Sequence, residues 1–68
     1  MPVITYAGTE LNDEAKQELI EKLTAIASEV TKTPEQFFTV LVQDYPETSI
    51  GIGGETVKEI KSRYMAKN

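Results

Sequence analysis

The stretch NDEAKQELIEKLTAIASEVT at residues 12–31 decides the fold, because its pattern predicts a long helix. Asn12 is a favourable N-cap, and Asp13 and Glu14 place negative charge in the first turn, where the helix dipole favours it. Apolar residues recur at spacings of three and four, which builds one continuous stripe. The stripe consists of Ala15, Leu19, Ile20, Leu23, Ile26, Ala27 and Val30. We expect this stripe to pack against other elements.

The segments on either side of this helix are typical of strands. Pro2–Ala7 is rich in β-forming residues with two apolar faces, and Gly8–Glu10 should end it. Phe37–Tyr45 alternates between two faces and predicts the second strand. Thr33–Gln36 has the form of a capping box with proline at the first helical position, and predicts a single helical turn. A helix between two strands implies parallel pairing through a right-handed crossover, so the fold class is α/β with a β-α-β protomer.

The C-terminal third begins with a turn at Pro46–Thr48 and continues into the glycine cluster GIGG at residues 51–54. This cluster matches neither a Walker A loop nor a dinucleotide fingerprint. It is consistent with a hairpin, with a tight subunit contact, or with backbone N–H groups that line a small anion pocket. From Glu55 onward the pattern predicts a short helix, whose apolar residues are Val57, Ile60 and Tyr64. Its basic residues, Lys58, Lys61, Arg63 and Lys67, are interpreted as charges that complement the helix dipole.

Length and composition restrict both the architecture and the chemistry. The 68 residues form a single domain, 1–68, and contain no cysteine and no histidine. Disulfides, Cys/His zinc sites, thiol nucleophiles and imidazole bases are therefore excluded. A chain this short generally needs external support, and two strands with one helix leave a sheet face uncovered. We expect a second copy to join it, giving a four-stranded sheet with two helices.

The charge balance bears on partners and location. The net charge of −4 and the pI of about 4.6 argue against nucleic acid or an anionic membrane as a partner, since both need a basic surface. No apolar stretch approaches the roughly 20 residues of a membrane-spanning helix, and the N-terminal residues do not resemble a signal peptide. We expect a cytoplasmic protein.

Pro2 has two interpretations that the residues alone leave open. Proline tolerates the first position of a strand, where it need not donate a hydrogen bond. If Met1 is removed, Pro2 instead carries a free secondary amine. Acid–base chemistry in this chain falls to carboxylates, lysines, tyrosines or that terminal amine.

Four stretches in this order and spacing resemble the 4-oxalocrotonate tautomerase family from Pro2 to about Glu55: PVITY, NDEAKQELIEKLTAIASEV, FFTVLVQD and IGIGGE. The resemblance implies the tautomerase fold, in which β-α-β protomers dimerise and assemble further as a hexamer, a trimer of dimers. It also implies Pro2 as the general base, with no cofactor and no metal. The substrate class it implies is a small 2-hydroxy-dienoate or 2-keto acid, converted between enol and keto forms.

The chain departs from this family at the substrate-binding positions. The family's two arginines correspond to Leu11 and Thr39, and its aromatic residue before the glycine cluster corresponds to Ile50. The resemblance thus gives Leu11, Thr39, Ile50, Gly51 and Gly53 as substrate-binding candidates. Neither leucine nor threonine binds a carboxylate as a guanidinium does, so we expect a substrate less anionic than a dicarboxylate. Replacement cations or donors are Lys16, Lys32, Arg63 and the backbone N–H groups of Gly51–Gly54.

The expected function is therefore a Pro2-dependent keto–enol tautomerase. One alternative uses the same base for hydration or dehalogenation of an unsaturated acid. A second alternative is a non-catalytic oligomeric module of the same fold. Tyr6 and Tyr45 could donate hydrogen bonds, but we interpret both as packing residues.

Overall fold

The computed structural model describes residues 1–66 and has the predicted β-α-β order. The strands and helices are β1 (Val3–Thr9), α1 (Asp13–Thr31), β2 (Thr39–Tyr45), β3 (Gly51–Ile52), β4 (Glu55–Thr56) and α2 (Val57–Ala66). Two 3-10 turns, Glu35–Phe37 and Glu47–Ser49, precede β2 and β3. The predicted single domain, 1–68, includes residues 67 and 68, which lie outside the described residues.

β1 and β2 pair in parallel, as predicted, with Val3 opposite Thr39 and Thr9 opposite Tyr45. The expected end of β1 at Gly8 was wrong, because the strand continues through Thr9. The ring of Tyr6 lies over Gly8: a Cβ atom on Gly8 would be only 2.5 Å from the Tyr6 hydroxyl oxygen. The aromatic ring therefore occupies the space that the missing side chain leaves, and an interior glycine becomes compatible with the strand.

The start of β2 also differs from the prediction. The strand begins at Thr39, because Phe37 belongs to the 3-10 turn that precedes it. This turn is the single helical turn expected here, but Thr33 does not cap it. Pro34 precedes the turn with an extended ψ of 141°, and the Thr33 hydroxyl donates to the Thr31 carbonyl at 3.4 Å. The N-cap position is Pro34, which has no side-chain oxygen to accept a hydrogen bond, so the predicted capping box does not form and that prediction was wrong.

Helix α1 has the expected bounds, and the Asn12 side chain caps it by accepting a hydrogen bond from Ala15 N at 2.7 Å. Its apolar stripe is only partly covered. Ile20, Ile26 and Val30 remain 39%, 60% and 73% exposed. A sheet of two strands about 5 Å apart is narrower than a helix about 10 Å across, so one protomer covers only the centre of the stripe.

The protomer has no enclosed core. In the part of the chain that the structure describes, no residue is fully buried. One sheet face packs against α1, while the other leaves Val3, Leu41 and Tyr45 exposed, as expected for two strands covered by one helix. The radius of gyration is 15.8 Å, against about 11 Å for a compact chain of this length. This shape is that of a subunit whose apolar surface needs a partner.

The glycine cluster forms a hairpin, which confirms one of its alternatives. β3 and β4 pair antiparallel, with Ile52 opposite Glu55, and the turn residues Gly53 and Gly54 have φ angles of +61° and +87°. Side chains other than glycine rarely adopt this left-handed conformation. The two glycines are therefore accounted for by the turn itself.

The predicted C-terminal helix is confirmed as α2. It begins with a complete capping box. The Thr56 hydroxyl accepts a hydrogen bond from Glu59 N at 3.1 Å, and a Glu59 carboxylate oxygen accepts one from Thr56 N at 2.9 Å. The T-x-x-E spacing at residues 56–59 is the sequence signal for this cap. It explains why α2 starts at Val57.

The basic residues of α2 pair with acids on other elements. Lys61 contacts Glu47 in the second 3-10 turn, and Arg63 contacts Glu55 in β4. These contacts attach α2 to the hairpin, which differs from the predicted role as dipole complement; Lys67 lies outside the described residues. Neither helix, as described over residues 1–66, has the length and apolar character needed to cross a bilayer.

Candidate active site

Pro2 lies at the amino end of β1 and is exposed in the isolated protomer. Its carbonyl accepts a hydrogen bond from Thr39 N at 3.1 Å, which aligns the start of β1 with the start of β2. The pairing therefore uses the carbonyl of Pro2 and requires no N–H from it. The fold thus fixes the position of Pro2 while its nitrogen stays outside the ladder.

Thr39 is the predicted substrate-binding residue that the structure places beside Pro2. It is exposed and lies opposite Val3 in the sheet register. Its side chain is an uncharged hydroxyl, which can donate a hydrogen bond to a substrate oxygen but supplies no positive charge. At this position beside Pro2 the chain therefore has a polar donor in place of a cation.

Leu11 lies at the other end of the sheet, in the connection between β1 and α1. Its backbone N–H donates to a carboxylate oxygen of Asp44 at 3.2 Å, and Lys16 Nζ lies 3.1 Å from the same oxygen. These contacts, with the Leu11 hydrogen bond the larger cause, hold the pKa of Asp44 below its usual value. Asp44 thereby fixes both the loop at Leu11 and the cation beside it. The spacing of sequence motifs gave no sign of this role.

The lowered pKa of Asp44 predicts a specific loss of stability in acid. A carboxylate with a depressed folded-state pKa stabilises the fold above its unfolded value and loses that contribution as pH falls through the folded value. We expect the Asp44→Asn variant to melt at a lower temperature than the unmodified chain at pH 7. The difference should shrink below about pH 4, where the unfolded carboxyl becomes protonated.

Thermal unfolding followed by circular dichroism from pH 3 to pH 7 measures this difference. Glu18→Gln is the matched control, because Glu18 makes an exposed ion pair with Lys22 at 2.6 Å on the outer side of α1. Exposed pairs of this kind contribute little to stability, so its melting temperature should hardly change. A pH-independent difference for Asp44→Asn would contradict the role given to the charge.

Ile50 and Gly51 line a hollow of about 340 Å³ at the carboxyl ends of β1 and β2. The lining is mainly apolar and consists of Ala7, Gly8, Tyr45, Ser49, Ile50 and Gly51. The only hydroxyl side chains in this lining are those of Tyr45 and Ser49. The hollow thus offers two hydroxyl groups and no charged side chain to a ligand. Gly53 is at the tip of the hairpin and is not part of the lining.

The predicted site residues therefore form two groups at opposite ends of the sheet. Pro2 and Thr39 lie at the amino ends of the strands, whereas the hollow begins at Ala7 and Gly8. Five residue-to-residue steps of extended strand separate Pro2 from Ala7, a distance of roughly 16 Å. The two groups can form one site only if different copies of the chain contribute them.

Two of the three candidate replacement cations are paired with carboxylates of the same protomer. Lys16 pairs with Asp44, and Arg63 pairs with Glu55. Lys32 ends α1 in the left-handed conformation, with φ of +57°. Among the three, Lys16 is the one held next to a predicted site residue, because it shares the Asp44 carboxylate with Leu11.

A second hollow, of about 460 Å³, lies where the end of β1 meets the second 3-10 turn and α2. Its lining is polar and has two glutamates and two lysines: Thr9, Glu10, Pro46, Glu47, Thr48, Lys58 and Lys61. Lys61 and Glu47 already pair with each other. This hollow contains none of the predicted site residues.

Comparisons with known proteins agree with this architecture. The family model described as tautomerase enzyme matches residues 2–60. A protein named probable tautomerase from Bacillus cereus is 32% identical over 60 residues, which cover 87% of this chain and 98% of the relative.

Two solved structures share the fold closely. The apo form of a protein called unFused 4-OT has a TM-score of 0.80 at 37% identity, with 87% of this chain and 98% of that chain covered. TomN, a 4-oxalocrotonate tautomerase homologue in the tomaymycin biosynthetic pathway, has a TM-score of 0.84 at 31% identity, with 90% and 95% covered. Together with the β-α-β fold and the position of Pro2, these matches show that the chain belongs to the 4-oxalocrotonate tautomerase family.

Proposed function

We propose that this protein is a cofactor-independent keto–enol tautomerase in which Pro2, freed by removal of Met1, is the general base. The observation that carries the proposal is the placement of Pro2 in a chain of this family. Its carbonyl is fixed by Thr39 N at 3.1 Å, while its nitrogen takes no part in the β1–β2 ladder. In a chain without histidine or cysteine, a free proline amine is a suitable proton carrier.

The proposed reaction moves one proton within the substrate. The Pro2 amine takes a proton from the enol hydroxyl of a small 2-hydroxy-dienoate and returns a proton to a carbon atom, which gives the 2-keto acid. The electron pair released from the O–H bond forms the keto C=O bond, and the C=C electrons form the new C–H bond. No oxidant, reductant or cofactor is needed. An apolar surrounding would lower the pKa of the amine and keep part of it unprotonated near neutral pH.

The substrate that fits best carries little negative charge. Leu11 and Thr39 supply no cation, and the hollow at Ile50 and Gly51 is mainly apolar with two hydroxyl groups. A dicarboxylate would need a charged partner for each carboxylate to recover its lost hydration. We therefore propose a monoanionic enol acid with an apolar substituent.

We further propose that the active form is a homo-oligomer in the cytoplasm, a dimer that assembles into a hexamer as a trimer of dimers. The uncovered sheet face at Val3, Leu41 and Tyr45 and the exposed flank of α1 at Ile26 and Val30 support self-association. Association also supports catalysis, since it can bring the Pro2 of one copy to the hollow of another.

The requirement for a free proline amine is tested by blocking the Pro2 amine without changing any other residue. One glycine inserted between Met1 and Pro2 leaves Pro2 acylated after processing. We expect the rate of enol–keto conversion by the extended protein to be at least 100-fold lower, which is within the usual range for removal of a general base. Intact-mass analysis should show that the unextended protein has lost Met1.

The control for the extended protein is its assembly state, measured by sedimentation velocity. An unchanged assembly with lost activity supports the free amine as the base. Equal activity of the extended and unextended proteins would overturn the mechanism, as would retention of Met1 in a fully active protein.

A further inference from the structure

Helix α2 carries an apolar stripe that continues beyond the protomer. Val57, Ile60 and Tyr64 follow one another at spacings of three and four, so they share one helix face. Val57 and Ile60 are half-buried where α2 packs against β4 and the second 3-10 turn. Tyr64 is 70% exposed, and Met65, beside it on the last turn, is 75% exposed. The first half of the stripe is covered, and the second half is not.

This exposed end belongs to a helix whose start and middle make defined contacts with the rest of the protomer. The capping box of Thr56 and Glu59 fixes its start. The ion pairs of Lys61 with Glu47 and of Arg63 with Glu55 hold its middle against the rest of the protomer. Tyr64 is therefore presented on an ordered element, which lowers the entropy cost of forming a contact there.

We infer that Tyr64 and Met65 form a docking surface for a second copy of this chain. The family match ends at residue 60, so this surface is an addition to the part of the chain that the family model covers. The inference rests on the self-association proposed above and assigns one contact within it. Tyrosine and methionine are among the residues enriched in protein interfaces.

The exposed area of the chain supports another copy as the occupant. The chain exposes 5339 Å², whereas a compact monomer of this mass exposes about 4,300 Å². The excess, about 1,000 Å², is close to the roughly 800 Å² that each partner contributes to a standard interface. An interface between copies would thus accommodate the extra surface.

The inference is tested with the full chain by sedimentation velocity over a range of protein concentrations. Tyr64→Lys should raise the dissociation constant of the assembly at least tenfold, because it removes a buried aromatic contact and places a charge there. Ser62→Lys is the matched control, since it adds the same charge on the opposite side of the same helix. Tyr64→Phe should keep the assembly, because it retains the ring.

Cross-linking gives a second measurement that does not depend on weakening the assembly. The chain has no cysteine, so Met65→Cys introduces a single reactive thiol. A bismaleimide should join two copies through this position, and Glu18→Cys, at an exposed position on α1, should give far less product. Sedimentation of Tyr64→Lys identical to the unmodified chain, with no Met65→Cys product, would overturn the inference while leaving the Pro2 mechanism intact. A monomeric unmodified chain would overturn the inference together with the proposed assembly.

Discussion

Pro2→Ala is expected to lower kcat/KM for enol–keto conversion by about 10²- to 10⁴-fold, the usual contribution of a positioned general base. After removal of Met1 the variant still has a terminal amine, but a primary one on a more flexible residue. Loss of the pyrrolidine ring removes the fixed φ that holds the nitrogen in place. The carbonyl that accepts from Thr39 N is retained, so the strand pairing should persist.

The measurement is steady-state kinetics on monoanionic 2-hydroxy-dienoates, with circular dichroism and sedimentation to confirm folding and assembly. Pro34→Ala is the matched control. Pro34 is an exposed proline before the first 3-10 turn, and its carbonyl accepts from Phe37 N at 3.1 Å, a contact that alanine can keep. An unchanged kcat/KM in Pro2→Ala would contradict the proposed base.

The same variant separates the alternative functions. If the unmodified chain hydrates or dehalogenates unsaturated acids faster than it tautomerises enols, and Pro2→Ala stops this, the base is correct and the proposed reaction is wrong. If the unmodified chain assembles but converts none of these substrates, the non-catalytic module is the better description. Parallel assays on halogenated acids and enol acids decide between them.

Gly8→Ala is expected to destabilise the fold by about 1–3 kcal/mol, as overpacking of a well-filled site does. The added Cβ would lie 2.5 Å from the Tyr6 hydroxyl oxygen and 2.8 Å from the ring carbon that bears it. Contacts this short require the ring to rotate away, because a phenol ring is rigid. The sheet face beneath α1 would then lose the cover that Tyr6 provides.

Urea unfolding at one fixed protein concentration measures this change, since association contributes to the stability of an oligomer. Gly51→Ala is the matched control: a Cβ there would meet only Glu55 O at 3.5 Å, an ordinary contact, and its φ is not left-handed. The double variant Tyr6→Leu, Gly8→Ala should lose less free energy of unfolding than the two single variants lose in sum. If the two losses of free energy were fully additive, the Tyr6 ring would not be what the added Cβ atom clashes with.

The elements that were predicted correctly are those with local signals. Helix α1 follows from the Asn12 cap and from apolar spacing, both read within one segment. Parallel pairing follows from the length of the crossover, and the hairpin follows from Gly53 and Gly54, which the turn requires in a left-handed conformation. Each of these features depends on residues that are close in the sequence.

The predictions that failed depended on neighbours outside the segment. Gly8 was expected to end β1, but the Tyr6 ring and the pairing with Asp44 keep it in the strand. Thr33 has the spacing of a capping residue, yet Pro34 is extended and Thr56 forms the capping box instead. Ile26 belongs to the stripe by spacing but lies beyond the width of the two-stranded sheet.

The sequence by itself determined the order of elements, the family and the candidate base, because motifs and hydrophobic periodicity are local properties of the chain. Only the tertiary structure decided how the site residues are distributed. In the structure Thr39 lies beside Pro2, whereas Leu11 lies at the far end of the sheet. Asp44 contacts both Leu11 and Lys16 there. Asp44 and Leu11 are 33 positions apart, and a contact over that separation is set by strand register and helix packing, which no local pattern encodes.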